Sequence, residues 1–300
     1  MPSEEFLRKI IEKIWSIEPR AGMFPYVLFE ESEIIELLEA ATELLKSEPI
    51  LLRINSPIVV CGDTHGSVVD SLRIFKTLGT PEETKFLFLG DYVDRGAQSI
   101  ENVMLLVAYK LLCPYSVFLL KGNHECEDIS SFYGLREECI MRYSHKVYWA
   151  FLKMFGELPV AAVVDGTVFC VHGGISSELE TLDQIDHLTK KLSSDEDKLL
   201  NDLLWADPSP EVKDFEESPR GASYVFGKAP LDRFLDRNNL ECVIRSHEFC
   251  DGISMPFGSD GRIITVFSAL NYCNMRSLSA VATIDQDHNI KFIFFKTDKP

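Results

Sequence analysis

The sequence predicts an α/β fold, and three observations predict it. Short β-branched or apolar runs at 57–61, 85–89 and 115–120 are each followed by a glycine-containing turn and a helix-like stretch. That βαβ rhythm implies parallel strands joined by right-handed crossovers. A helical pair precedes it: 3–17 sets Phe6, Ile10 and Ile14 at helical spacing, and 31–46 repeats the pattern with Ile34, Leu37, Leu38, Ala41 and Leu45. An antiparallel ending follows it. The segments 159–164 and 167–172 flank Asp165-Gly166, a hairpin signal, and 242–246, 262–267, 278–284 and 290–295 read as strands separated by the turns 258–261 and 285–289. The polar, proline-containing stretch 207–220 is expected to be a long surface loop. No repeat, low-complexity tract or break in composition divides the chain. One domain over 1–300 is therefore expected, helical over 1–50 and carrying its core over 51–300.

Composition narrows the function. With 46% hydrophobic and 26% charged residues the chain is not disordered. Thirty Lys+Arg against forty-seven Asp+Glu leave a net charge of −17. That is the wrong sign for a nucleic-acid or anionic-membrane binder, so neither partner is expected. None of the eight cysteines is spaced as CxxC, and most lie in apolar runs, which reads as buried reduced thiols. The first twenty residues carry charges throughout, unlike a secretory leader, and no apolar run reaches the length of a membrane span. Cytosol or nucleus is the expected location.

Three turns in the first half share one design. Gly62-Asp-Thr-His-Gly66, Gly90-Asp-Tyr-Val-Asp-Arg-Gly96 and Gly122-Asn-His-Glu125 each follow an expected strand, and the intervals 67–89 and 97–121 each accommodate one crossover helix. All three should lie at the carboxyl ends of neighbouring parallel strands, the edge where open α/β sheets place ligands. Asp63, His65, Asp91 and Asn123 offer hard oxygen plus imidazole, a mixture suited to Zn, Fe or Mn rather than Ca. A carboxylate on the middle turn suits two cations shared across it, the arrangement used on phosphate esters. His172 and His247, at the ends of two further strands, offer the remaining imidazoles, and Arg95 is placed as a phosphate clamp. Taken singly, each motif admits a bland explanation: a turn, a satisfied core histidine, an Asp94–Arg95 surface ion pair. Their joint placement at strand ends favours the metal site. Gly221 to Lys228 imitates a P-loop but has the wrong spacing and Ala229 after the lysine.

The ordered motifs GDTHG, GDYVDRG, GNHE, HGG, RSHE and FSALNYC resemble the signatures of the phosphoprotein phosphatases, the metal-dependent serine/threonine phosphatases of type 1, type 2A and calcineurin. The similarity runs from about residue 20 to 296 and includes Trp205, Asp207 and Arg220-Gly221. It implies a calcineurin-like metallophosphoesterase fold, a central β-sandwich flanked by helices, forming a single catalytic domain. It further implies two metal ions (Mn, or Fe with Zn), one held by Asp63, His65 and Asp91, the other by Asp91, Asn123, His172 and His247. A water between the metals would be the nucleophile. His124, oriented by Asp94, would protonate the leaving alkoxide, and Arg95, Arg220 and Tyr272 would contact the phosphoryl group. Phosphoproteins would be the substrates and regulatory subunits the partners. The chain departs from the family at Leu270, usually proline, at 274–277, at Ser218-Pro219 before the second arginine, and at Ala206, usually serine. Two rival readings stand beside this one: a phosphatase of nucleotides such as dinucleoside polyphosphates, which shares the first three turns, and a catalytically dead phosphatase fold used as a scaffold.

Overall fold

The helical pair forms where the apolar spacing puts it. In the computed structural model, which describes residues 2–17, 26–193 and 197–297, α1 (Glu4–Trp15) begins at Ser3, whose hydroxyl accepts the Phe6 N–H at 3.1 Å. It buries Leu7, Ile10, Ile11 and Ile14. Helix α2 (Glu31–Ser47) starts with the Glu33 carboxylate accepting the Glu30 N–H at 3.0 Å and buries Ile34, Leu37, Leu38, Ala41 and Leu45. Lys9 and Lys13 of α1 pair with Glu33 of α2 at 3.0 and 2.8 Å, pinning one helix to the other.

The chain then builds two sheets. Strands β1 (Leu51–Ile54) and β2 (Ile58–Cys61) lead to α3 (Val68–Leu78), β3 (Phe86–Phe88), α4 (Ser99–Leu112) and β4 (Val117–Leu119). Helices α5 (Glu127–Ser130), α6 (Leu135–Arg142) and α7 (His145–Phe155) precede the hairpin of β5 (Ala161–Val164) and β6 (Val168–Val171). Helices α8 (Asp183–Asp186) and α9 (Lys198–Trp205) are followed by the short strands β7 (Asp207–Pro208), β8 (Phe215–Glu217) and β9 (Tyr224–Phe226), then α10 (Lys228–Asn238). Strands β10 (Cys242–Arg245), β11 (Ile253–Ser254), β12 (Ile263–Val266), β13 (Ser279–Ile284) and β14 (Ile290–Phe295) complete the chain.

One sheet has the order β14-β13-β2-β3-β4 and the other β1-β5-β6-β10-β12-β11. As the crossovers require, β2, β3 and β4 are parallel. Alternation along each strand divides its side chains between two layers. Val60, Leu87 and Ala282 of the first sheet meet Ala162, Cys170, Ile244 and Ile264 of the second in the middle of the sandwich. The opposite faces, Phe86 and Phe88 on one side and Phe169 and Val243 on the other, pack under α1–α4, α6 and α7 and under α8–α10 respectively. The result is the α/β fold expected, a β-sandwich flanked by helices.

Three local expectations need correction. Strand β1 was not foreseen; it pairs parallel to β5. The 207–220 stretch is not a plain surface loop, because β7, β8 and β9 form a small three-stranded sheet there. Its polarity hid two anchors: Phe215, which packs against the core, and Asp207, buried and held by Arg245 and Arg220. The ending is antiparallel at β13–β14, but β10 and β12 lie parallel, with β11 added as an antiparallel edge. All eight cysteines are free thiols, and among the described residues no helix is long and apolar enough to cross a membrane. His145, His187 and His288 sit on the surface.

Candidate metal centre

Both sheets end their strands at the same edge. The turns after β2, β3 and β4 bring Asp63, His65, Asp91 and Asn123 from one sheet; the turns after β6 and β10 bring His172 and His247 from the other. Backbone bonds lock the first two turns together: Thr64 and His65 N–H donate to the Asp91 carbonyl at 3.1 and 2.9 Å. Glycine permits the approach of the next pair. A Cβ on Gly90 would sit 2.4 Å from the Gly122 nitrogen, and one on Gly122 would sit 2.3 Å from Asp91 Oδ1. Left-handed backbone at five non-glycine residues, His65, Asp91, Asp94, Arg95 and His247, concentrates strain in this one place.

The side chains converge on two overlapping clusters. Ligand atoms of His65, Asp91 and His124 lie within 4.8 Å of one another, as do those of Asp91, His172 and His247, so Asp91 belongs to both. His65 Nε2 is 3.6 Å from both Asp63 Oδ2 and Asp91 Oδ2, and His172 Nε2 is 3.4 Å from Asp91 Oδ1. One end of the Asn123 side-chain amide lies 2.9 Å from His172 Nε2, 3.1 Å from His247 Nδ1 and 3.3 Å from the Asp91 carboxylate. Asp63 Oδ2 and His247 Nε2 are buried with no hydrogen-bond partner. Buried acceptors left orphaned beside clustered carboxylate and imidazole donors are what cations would satisfy, so the residues fit a pair of metal ions.

Electrostatics agree. Burial, then the charges of Asp63 and Glu125, push Asp91 well above the ordinary carboxylate range. Burial also raises Asp63, holds His65 down at about 4 and drives His172 and His247 well below the ordinary imidazole range. Neutral imidazoles are ready ligands, and a cation among the carboxylates would reverse their shift.

Around this centre stand the other residues singled out by the sequence. His124 Nδ1 is 2.7 Å from Asp94 Oδ2, and both are buried. Asp94 therefore serves His124 rather than forming a surface ion pair with Arg95. Burial, then Arg95 and Arg220, push His124 down to about 3. Arg95 is exposed and stacks on the Tyr133 ring, 4.2 Å from its centroid. Among the described residues no carboxylate pairs with it. Arg220 is aimed by a 2.5 Å bond from Nε to Asp207 Oδ2, while Arg245 holds the other Asp207 oxygen at 2.6 Å.

Tyr272 is stacked between His65, centroid 5.0 Å away, and Phe249, 5.9 Å away. Its loop runs through left-handed Asn271, Cys273 and Asn274 and is tied down twice on the N-terminal side of Tyr272. Leu270 N–H donates to the buried Asp70 at 3.1 Å, and the Asn271 amide donates to Thr297 at 2.8 Å. Leu270 thus supplies a donor that proline lacks. Leu270→Pro is expected to leave Asp70 one donor short and to cost about 1–3 kcal/mol in urea denaturation. An unchanged midpoint would show that this bond adds nothing.

Three supporting residues escaped the sequence reading. The Glu125 carboxylate accepts the N–H groups of Asp91, Tyr92 and Gly122 at 2.8–2.9 Å, joining two of the turns. The Ser246 hydroxyl donates to Asp63, and fully buried Arg245 binds the Gly173 carbonyl at 2.6 Å. Each sat inside a quoted motif, but nothing in its spacing announced its task.

Sandwich, edge and paired clusters together define a metallophosphoesterase. The chain belongs to the calcineurin-like phosphoesterase family, whose model matches residues 56–251; members carry a dinuclear metal centre. It is similar over 100% of its length, and 98% of the other chain, to a protein serine/threonine phosphatase from Saccharomyces cerevisiae described as similar to human phosphatase PP5, at 31% identity and a TM-score of 0.87. A cold-active protein-tyrosine phosphatase from a psychrophilic Shewanella shares the fold, at 19% identity and a TM-score of 0.59, over 92% of this chain and 88% of that one.

Proposed function

We propose that the protein is a serine/threonine protein phosphatase hydrolysing phosphoserine and phosphothreonine esters. The whole-chain likeness to the yeast serine/threonine phosphatase carries this reading. In it, Asp63, His65 and Asp91 hold one metal ion and Asp91, Asn123, His172 and His247 the other, with manganese, or iron with zinc, matching the mixed oxygen and imidazole donors. The bound ions supply Lewis-acid stabilisation of phosphoryl charge and a water acidic enough to attack at neutral pH.

The chain's own residues do the rest. Arg95, engaged by no carboxylate among the described residues, and Arg220, braced by Asp207, grip the phosphoryl oxygens, with Tyr272 lining the same cavity as Arg95. Water adds to phosphorus as the ester P–O bond breaks, giving the free side-chain hydroxyl and inorganic phosphate. His124 Nε2 gives its proton to the departing oxygen while Asp94 holds the Nδ1 side of the ring. A phosphate dianion between Arg95 and Arg220 offsets the charges that depress His124 and returns the ring toward its protonated form. Phosphoproteins are then the substrates, and regulatory subunits choose among them.

The test pairs elemental analysis with turnover on phosphoserine, phosphothreonine and phosphotyrosine peptides and on diadenosine tetraphosphate. The first two peptides are expected to give the highest kcat/KM. A preference for phosphotyrosine or for the dinucleotide would overturn the substrate assignment.

A further inference from the structure

We infer that Glu138, remote from the metal ligands, is a positioning residue for His124, acting through Asp94. The inference rests on the reading of His124 as the proton donor. Asp94 is gripped from two helix N-termini. Its Oδ1 accepts the N–H of Leu135, the first residue of α6, at 2.7 Å. Its own N–H donates to the hydroxyl of Ser99, the first residue of α4, at 3.2 Å. Oδ2 is left to face His124. The direction of that carboxylate therefore depends on how α4 and α6 sit relative to each other.

Glu138 fixes that relation. It stands one turn into α6, and its carboxylate reaches across to cap α4, accepting Ser99 N–H at 3.0 Å and Ile100 N–H at 3.3 Å. A carboxylate at this position satisfies amides that have no partner within the helix and meets the positive end of its dipole. The residue it holds, Ser99, is the one whose hydroxyl holds Asp94. Arg142, one turn further along α6, braces the arrangement by bonding Glu138 at 2.6 Å and Glu101 of α4 at 2.5 Å. Glu138 and Arg142 are 10% and 15% exposed at the side chain and Glu101 is fully buried, so water does not replace these bonds readily. Without the Glu138 carboxylate, Ser99 loses its anchor and Asp94 loses one of its two fixed grips, while the metal ligands keep all of theirs.

The signature of such a role is dependence on the leaving group. Glu138→Gln and Glu138→Ala are to be compared with the wild type and with His124→Asn on a phosphoserine peptide and on nitrophenyl phosphate, with metal content and Tm measured for each. The Glu138 variants are expected to lose roughly 10-fold or more in kcat on the peptide, since a misplaced catalytic group is costly. They should lose distinctly less on nitrophenyl phosphate, at unchanged metal content, with glutamine milder than alanine. Glutamine keeps an acceptor and nearly the same volume, so it carries the test should alanine fail to fold. If His124→Asn discriminates between the substrates and Glu138→Gln does not, the inference is wrong and the donor assignment stands. If His124→Asn does not discriminate either, both fall.

Discussion

Asp91→Asn is expected to strip metal from the protein and to lower turnover by more than about 10²-fold, since even partners outside the ligand shell cost 10–100-fold. Two cations held close together repel, and a carboxylate shared between them offsets that repulsion. Asp91 is the one residue found in both ligand clusters. Asparagine keeps the shape and removes the charge. The main-chain bonds of the turn, from Thr64 and His65 to its carbonyl and from its N–H to Glu125, do not involve the side chain. Helical content should therefore stay as it is. Elemental analysis with circular dichroism and a phosphopeptide assay checks all three quantities. Retention of two metals per chain by the variant, or full activity of the wild type with one, would rule out a shared-carboxylate centre.

His124→Asn is expected to lose roughly 10²–10⁴-fold on phosphoserine peptides, the range for a positioned proton donor, and much less on nitrophenyl phosphate. A serine alkoxide is a very poor leaving group and needs a proton in the transition state. Nitrophenolate is stable as an anion and barely needs one. The 2.7 Å contact with Asp94 fixes the ring so that Nε2 is the free nitrogen, 4.0 Å from Asp91 Oδ2. His124 also lies within ligand distance of His65 and Asp91, so the same variant tests a rival role. Loss of metal together with equal losses on both substrates would make it a ligand rather than the donor.

Much of this was legible in the sequence because the relevant physics is local. Phe86-Leu87-Phe88 alternates between two cores, Asp165-Gly166 takes the left-handed pair a tight hairpin needs, and glycines mark where turns crowd. Chemical type singled out Asp63, His65, Asp91, Asn123, His172 and His247 as candidate ligands, and the strand ends bring all six to one edge. What stayed hidden is settled by partners distant in sequence. Glu125 reads like any acid beside a histidine until it is seen clasping three amides. Glu138 belongs to no motif, and its task shows only once α4 is packed against it. The small sheet at 207–226 was obscured because its anchor, Asp207, is a charged residue buried only by virtue of two arginines.

Neither sheet owns the active centre. One contributes Asp63, His65, Asp91 and Asn123 and the other His172 and His247, so in the proposed assignment a chain whose halves have not yet docked would hold only part of the ligand set. Metal that binds the completed edge selectively stabilises the docked arrangement by mass action. On that assignment chemistry becomes a certificate of assembly: a newly made or partly opened molecule would lack hydrolytic power, which would arrive together with the finished fold.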